Sequence, residues 1–287
     1  MTAILKHELK SYFHSLTAYV FGAFLLVMVG FGSVYYNLMA AVSNFEYVLS
    51  FGSIIFVIIV PLLTMRVIAE ERRQKTDQLL YSLPVTTTQV VLGKYLALLA
   101  VYLVPLGIIS TYPLIFSRYG EVYLPTSYGS LFAIFVMGAA LIAVGVFLSS
   151  LTENQGMAAG ITVAVVLFNY YSVSLSEYVS TTILGTLAAL VVLALILGGI
   201  TGLVTGSDVM GYAVAFVLPG CICIIGFTDA SVLEGLLPDL MRSLSLFERF
   251  NAFVSGVFDL TALIYYGSVI LFFLFLTVQS LEKRRYN

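Results

Sequence analysis

The charges in this chain are so unevenly spaced that the intervals between them set its architecture. No Asp, Glu, Lys or Arg occurs between Lys10 and Glu46, Glu46 and Arg66, Lys94 and Arg118, Glu121 and Glu153, Glu153 and Glu177, Glu177 and Asp208, Asp208 and Asp229, or Asp259 and Glu282. A helix crossing about 30 Å of hydrocarbon needs about 20 apolar residues, and each interval supplies them. The pattern predicts an all-α polytopic membrane protein with eight spans, near 17–36, 51–69, 95–116, 128–150, 157–175, 183–203, 210–227 and 261–281. Six spans are the alternative. At 60% hydrophobic and 10% charged residues, the chain fits neither a soluble domain nor a disordered one. Its net charge of -2 leaves no basic surplus for phosphate backbones, so nucleic acid is not an expected partner. Cys221 and Cys223 lie in an apolar run and, at i and i+2 of a helix, point apart, which implies no disulfide framework.

Lys6, His7 and Lys10 precede the first apolar run, which is too long for a secretory signal and has no convincing cleavage site; it reads as the first span. Ahead of it, Ile4, Leu5, Leu9, Phe13 and Leu16 recur at helical spacing, predicting an interfacial helix over residues 1–16. With the N-terminus inside, Lys6, Lys10, Arg66, Arg72, Arg73, Lys75, Lys94, Lys283, Arg284 and Arg285 all fall on the cytoplasmic side, ten of the 13 cations. Both termini are therefore expected in the cytoplasm, which requires an even number of spans. Tyr35, Tyr36, Tyr47, Tyr119, Tyr123, Tyr128, Tyr170, Tyr171 and Tyr178 gather at the predicted outer ends and, in a chain without Trp, form an aromatic belt or a substrate-binding cluster.

No ionisable residue stands in the middle of a predicted span, which argues against an ion-coupled carrier. Both histidines fall within the first 14 residues and no metal motif is present, so intramembrane proteolysis is disfavoured. Gly93-Lys94 is followed by Tyr95 and not by Ser or Thr, so no phosphate-binding loop is formed. The chain is not expected to be an enzyme or to hold a cofactor, and energy would enter through a partner. Gly156 with Gly160, and Gly198, Gly202 and Gly206, stand at helix-packing spacing, for contacts within the chain or for a dimer seam. Pro61, Pro105, Pro113 and Pro219 fall within spans.

Between the second and third spans, Glu70, Glu71, Arg72, Arg73, Lys75 and Asp77 are followed by Leu79, Leu80 and Leu83 and by Pro84. A charged turn leading into an apolar stripe makes either a short amphipathic helix for a partner's groove or a solvated loop that sets topology. The other long connection, residues 228–260, carries Leu233, Leu236, Leu237, Leu240, Met241 and Leu244 at helical spacing, with a break expected at Pro238. It reads as external amphipathic helices that cap a pathway, dock an extracytoplasmic subunit or anchor the loop.

Three blocks of residues resemble a known family, the permease subunits of ABC-2-type exporters, and within it the gliding-motility-type branch. The first runs from Pro61-Leu62-Leu63-Thr64-Met65-Arg66 through Ala69-Glu70-Glu71-Arg72-Arg73, Leu79-Leu80 and Leu83-Pro84-Val85 to Leu92-Gly93-Lys94. The second is Ser149-Ser150-Leu151-Thr152-Glu153-Asn154-Gln155. The third spans Ser245-Leu246-Phe247, Phe253, Gly256, Asp259-Leu260, Tyr265-Tyr266 and the ending Phe273-Leu274-Phe275-Leu276-Thr277 with Glu282-Lys283-Arg284-Arg285. Two departures stand out: Lys75-Thr76-Asp77 replaces the Gly-Thr-Glu common after the charged turn, and residues 183–228 look like an inserted pair of spans.

The resemblance implies an export permease of a bacterial plasma membrane that works as a dimer, with an identical or homologous second permease and two cytoplasmic ATPase subunits. ATP and Mg would be held by the ATPase. Residues 70–84 would be the coupling helix, with Glu70, Glu71, Arg72, Arg73 and Asp77 making polar contacts and Leu79, Leu80 and Leu83 holding it to the membrane domain. Glu153, Asn154 and Gln155 would offer a second ATPase contact. A mechanical or structural subunit acting on an envelope component without solute transport is the alternative function.

Overall fold

A computed structural model describes residues 2–76, 85–179 and 234–286, with short stretches between 182 and 220. The chain divides into two compact units, Met1–Tyr170 with Arg249–Asn287, and Tyr171–Glu248. All regular elements among the described residues are helices: α1 (Thr2–His14), α2 (Leu16–Ser33), α3 (Phe45–Gly52), α4 (Phe56–Thr64), α5 (Ala69–Gln74), α6 (Thr87–Ile109), α7 (Tyr112–Phe116), α8 (Leu124–Leu151), α9 (Gln155–Ser176), α10 (Leu236–Ser243), α11 (Leu246–Val254) and α12 (Leu260–Tyr286).

Six helical stretches among the described residues are long and apolar enough to cross a membrane: Leu16–Met39, Phe45–Gln74, Thr87–Phe116, Leu124–Leu151, Gln155–Ser176 and Leu260–Arg284. They correspond to the first five predicted spans and the last. The spans expected at 183–203 and 210–227 are described only in part, and Gly202, Gly206, Cys221 and Cys223 lie outside the described residues. Hydrocarbon cannot satisfy backbone polar groups, so continuous helices are the form these apolar runs must take.

In the first unit α8 is the hub. It packs against α3, α4, α6 and α12, and it is the most buried of the six candidate spans. Its contact with α4 is made backbone to side chain: a Cβ on Gly145 would fall inside the van der Waals envelope of Thr64. Tyr102 of α6 lies fully buried over Gly138 and donates its hydroxyl to the Ile134 carbonyl at 2.8 Å. Both glycines let helices approach more closely than any larger residue allows. On α2, Leu16, Phe24, Val27 and Phe31 remain exposed, as a lipid-facing stripe requires. Pro61 and Pro105 lie inside α4 and α6.

At the end of this unit remote from the chain termini, Glu46 is 3% exposed. It accepts hydrogen bonds from Asn44 Nδ2 at 2.8 Å and Ser127 Oγ at 3.2 Å. The carboxylate stands at the first turns of both α3 and α8, where unpaired backbone N–H groups favour negative charge. In the second unit, Leu190 and Leu237 form a small core with Leu187, Leu236 and Met241, and Arg242 Nε donates to Ser176 Oγ at 3.1 Å.

The connection 228–260 contains two short helices among its described residues, α10 and α11. The break expected at Pro238 is not there. Pro238 is the third residue of α10, where a backbone N–H has no intrahelical acceptor, so proline removes no bond. Tyr119, Tyr123 and Tyr178 are highly exposed, consistent with a belt.

Candidate functional site

The charged turn is built by a sharp stop in the second candidate span. After α4 the chain makes a turn and re-enters a helix as α5, and the first free amides of α5 need acceptors. Ser149 of α8 provides one: its hydroxyl oxygen accepts from Ile68 N–H at 3.3 Å and Ala69 N–H at 3.2 Å. The far end of α5 closes with Lys75 N–H donating to the Arg72 carbonyl at 3.1 Å and Thr76 N–H to Glu71 at 3.0 Å. This pair of bonds is a Schellman closure, and it puts Lys75 at φ 57°, a left-handed conformation normally taken by glycine. The replacement of glycine by Lys75 thus leaves the turn's geometry in place and adds backbone strain.

Within the turn the charged side chains divide into inner and outer sets. Arg72 is 5% exposed and directs its guanidinium at the Ser150 carbonyl, at the C-terminal end of α8. That carbonyl also accepts from Ser280 Oγ of α12 at 3.3 Å. A guanidinium at a helix C-terminus meets both unpaired carbonyls and the negative end of the dipole. Glu71 Oε1 accepts from Lys94 Nζ at 2.6 Å, and the same ammonium reaches Glu8 Oε1 at 2.7 Å and the Val67 carbonyl at 3.1 Å. Glu70 is half-buried and accepts from Gln74 Nε2 at 3.3 Å. Arg73, Gln74 and Lys75 are exposed. Asp77, Leu79, Leu80 and Leu83, predicted to complete the coupling helix, lie outside the described residues.

The second predicted contact, Glu153 to Gln155, joins α8 to α9. Asn154 has a structural duty, accepting N–H bonds from Gly156 at 2.9 Å and Met157 at 3.4 Å at the start of α9. Gln155 is the first residue of that helix. Glu153 pairs with Arg284 near the end of α12; this hydrogen bond and charge hold its carboxyl below the usual range, and Arg72 and Lys75 add to the effect. Thr87 Oγ1 donates to Glu282 Oε1 at 2.7 Å, so the last span is tied to α6 as well as α8. The predicted residues described by the structure are thus gathered at the end of the unit that carries both chain termini.

The N-terminal helix belongs to this site. The apolar stripe predicted for residues 1–16 is only partly used: Ile4, Leu5 and Leu9 are half-buried, while Phe13 and Leu16 are exposed. Tyr12 is the buried side chain, and it shares a helix face with Glu8. Its hydroxyl donates to the Leu63 carbonyl at 3.4 Å, and burial beside Glu8 pushes the phenol well above its usual range. The helix is turned this way because Glu8 meets Lys94 of α6. Between α1 and the charged turn lies a cleft of ≈ 680 Å³, lined by His7, Ser11, Arg66, Glu70, Gln74 and Thr76 among others.

Glu8, Lys94, Ser149 and Ser150 were not among the predicted site residues. The charge-gap reading placed Lys94 outside its span, at the boundary before residue 95. The signal that corrects it is Thr86-x-x-Gln89, a capping pattern: Thr86 Oγ1 accepts from Gln89 N–H at 3.2 Å and starts α6 at Thr87. Lys94 is then two turns inside the helix.

Residues 33–174 match the family model described as ABC-2 family transporter protein. The match supports an ABC-2-type transporter permease. Together with the six apolar helices, it supports a multi-pass membrane protein. The matched stretch contains the charged turn, Lys94, the hub helix α8 and Glu153; α1, α10, α11 and α12 lie beyond it. No curated protein and no solved structure matches the chain.

Proposed function

We propose that this chain is the membrane-spanning subunit of an ATP-driven ABC-2-type exporter in a bacterial plasma membrane. It works as a dimer, with an identical or homologous second permease, and takes its energy from two cytoplasmic ATPase subunits that hold ATP and Mg. Both termini and the charged turn face the cytoplasm, the side to which the chain's cations are biased.

The observation that carries the reading is the attachment of the charged turn. Its inner residues, Glu71 and Arg72, are bonded to α6 and α8, while Arg73, Gln74 and Lys75 stay on the surface. A push on a surface element reaches the spans only if that element is stiffly joined to them. Glu70, Arg73 and Asp77 are the residues we assign to contact with the ATPase, with Leu79, Leu80 and Leu83 seating the rest of the coupling helix. Glu153 and Gln155 form a smaller second contact beside Arg284, and the 228–260 connection is the place for an extracytoplasmic auxiliary protein. The three sequence blocks favour the gliding-motility-type branch.

The test is purification of the tagged chain from its native membrane in mild detergent, with identification and stoichiometry of what accompanies it. One ATPase per permease is the expected result. Changing Leu79 and Leu80 together to Asp should abolish that association; intact assembly with normal ATP turnover removes the coupling role. ATP turnover in vesicles without movement of any solute would favour a mechanical subunit.

A further inference from the structure

Three acceptors converge on one buried ammonium at the meeting point of three elements. Glu8 comes from α1, Glu71 and the Val67 carbonyl from the charged turn and its approach, and Lys94 from α6. An ammonium has three N–H donors, and all three are used. No other side chain repeats that arrangement: arginine's donors lie in one plane and methionine has none. Glu8 and Glu71 carry like charges, and Lys94 stands between them and offsets their repulsion.

We infer that Lys94 is a positioning residue that makes the N-terminal helix and the charged turn move as one body. The consequence for transport, that displacement of the turn by the ATPase is passed to α1, rests on the permease reading; the joint itself does not. Tyr12 gives α1 a second hold, on the Leu63 carbonyl at the end of α4. The side of α1 away from Glu8, with Lys6, Lys10 and His14, is exposed. Its attachment on the inner side is therefore what decides whether it follows the turn.

The first measurement uses the full chain alone in lipid nanodiscs, with spin labels on Lys10→Cys in α1 and Lys75→Cys in the turn, both at exposed positions. The parent should give one narrow distance distribution. Lys94→Met and, separately, Glu8→Gln should broaden it and raise amide exchange in residues 2–14 by about tenfold, the population change expected from one lost charge-assisted hydrogen bond. Glu8→Gln serves where Lys94→Met fails to fold. Parent-like width and exchange in the folded variants overturn the joint.

The second measurement uses the complex with its ATPase, with and without trapped nucleotide. The Lys10–Lys75 distance should be unchanged by nucleotide in the parent and should change in the Glu8→Gln variant, with the ATPase still bound in both. A nucleotide-dependent distance in the parent overturns the inference even though assembly is normal. Absence of any associated ATPase counts against the permease reading and leaves the nanodisc result to decide the joint.

Discussion

Neutralising the two sides of the Glu8–Lys94–Glu71 cluster should have unequal costs. Lys94 is 2% exposed, whereas Glu8 and Glu71 are 14% and 26% exposed. Changing both acids to Gln leaves a largely buried ammonium on the cleft wall with only neutral acceptors, and a buried charge deprived of its partners costs about 3–5 kcal/mol. Lys94→Met leaves two carboxylates that can rotate toward solvent. The loss is then confined to partly exposed charge-assisted bonds, and with the added burial of the methionine side chain it comes to about 1–2 kcal/mol. The triple variant, with no charge left to desolvate, should return to within about 1 kcal/mol of the parent. Unfolding free energies in bicelles, measured for the parent and the three variants under one condition, give the order directly. The reasoning fails if Lys94→Met is as damaging as the double acid variant, or if removing all three charges is worse than removing two.

Four further outcomes follow from the same junction. Arg72→Met removes a charge-assisted bond at the C-terminus of α8 and should destabilise the chain by about 2–3 kcal/mol in the bicelle assay, with Arg72→Lys intermediate. Lys75→Gly relieves a left-handed residue and should stabilise the turn by about 1 kcal/mol, read as slower amide exchange over residues 69–76. Gly145→Val drives a branched side chain into Thr64 and should cost about 1–3 kcal/mol, with Gly160→Val, which meets nothing among the described residues, as the neutral comparison in the monomer. Because the Glu153 carboxyl is held below its usual range by Arg284, the stabilisation is present above the unfolded carboxyl's pKa and is lost as pH falls through the lowered value. A label at the end of α12 should become equally mobile in parent and Glu153→Gln only after that protonation.

Charge spacing was enough to locate the six candidate spans among the described residues because desolvating an ionised group within hydrocarbon is costly, which keeps such groups out of the runs that must cross it. The same logic misplaced their ends. Lys94 and Glu46 were read as borders, yet each lies inside a helix, because a buried ion is admissible where partners or helix termini compensate it. Those partners are far away in sequence, Glu8 and Glu71 for one and Ser127 for the other, and no local periodicity records them. The charged turn was legible as an element, since six ionic residues in eight must stay at a boundary. Its division into an inward Arg72 and an outward Arg73 was not, because that depends on where the α8 terminus sits. The N-terminal helix was recognised from its apolar spacing, but a single ion pair set its rotation.

The order of synthesis gives the buried ammonium a further meaning. Every group that receives a hydrogen bond from Lys94 precedes it in the chain: Glu8, Val67 and Glu71. When the ribosome delivers the third hydrophobic stretch to the membrane, its cation finds both counter-charges already at the surface and need never enter lipid alone. Arg72 and Glu46 differ in part: Asn44 is already beside Glu46, but Ser150 and Ser127 arrive only with the fourth stretch. The N-terminal ionic junction can thus be complete before α8 is inserted, whereas the bonds of Arg72 and Glu46 to α8 close only after it.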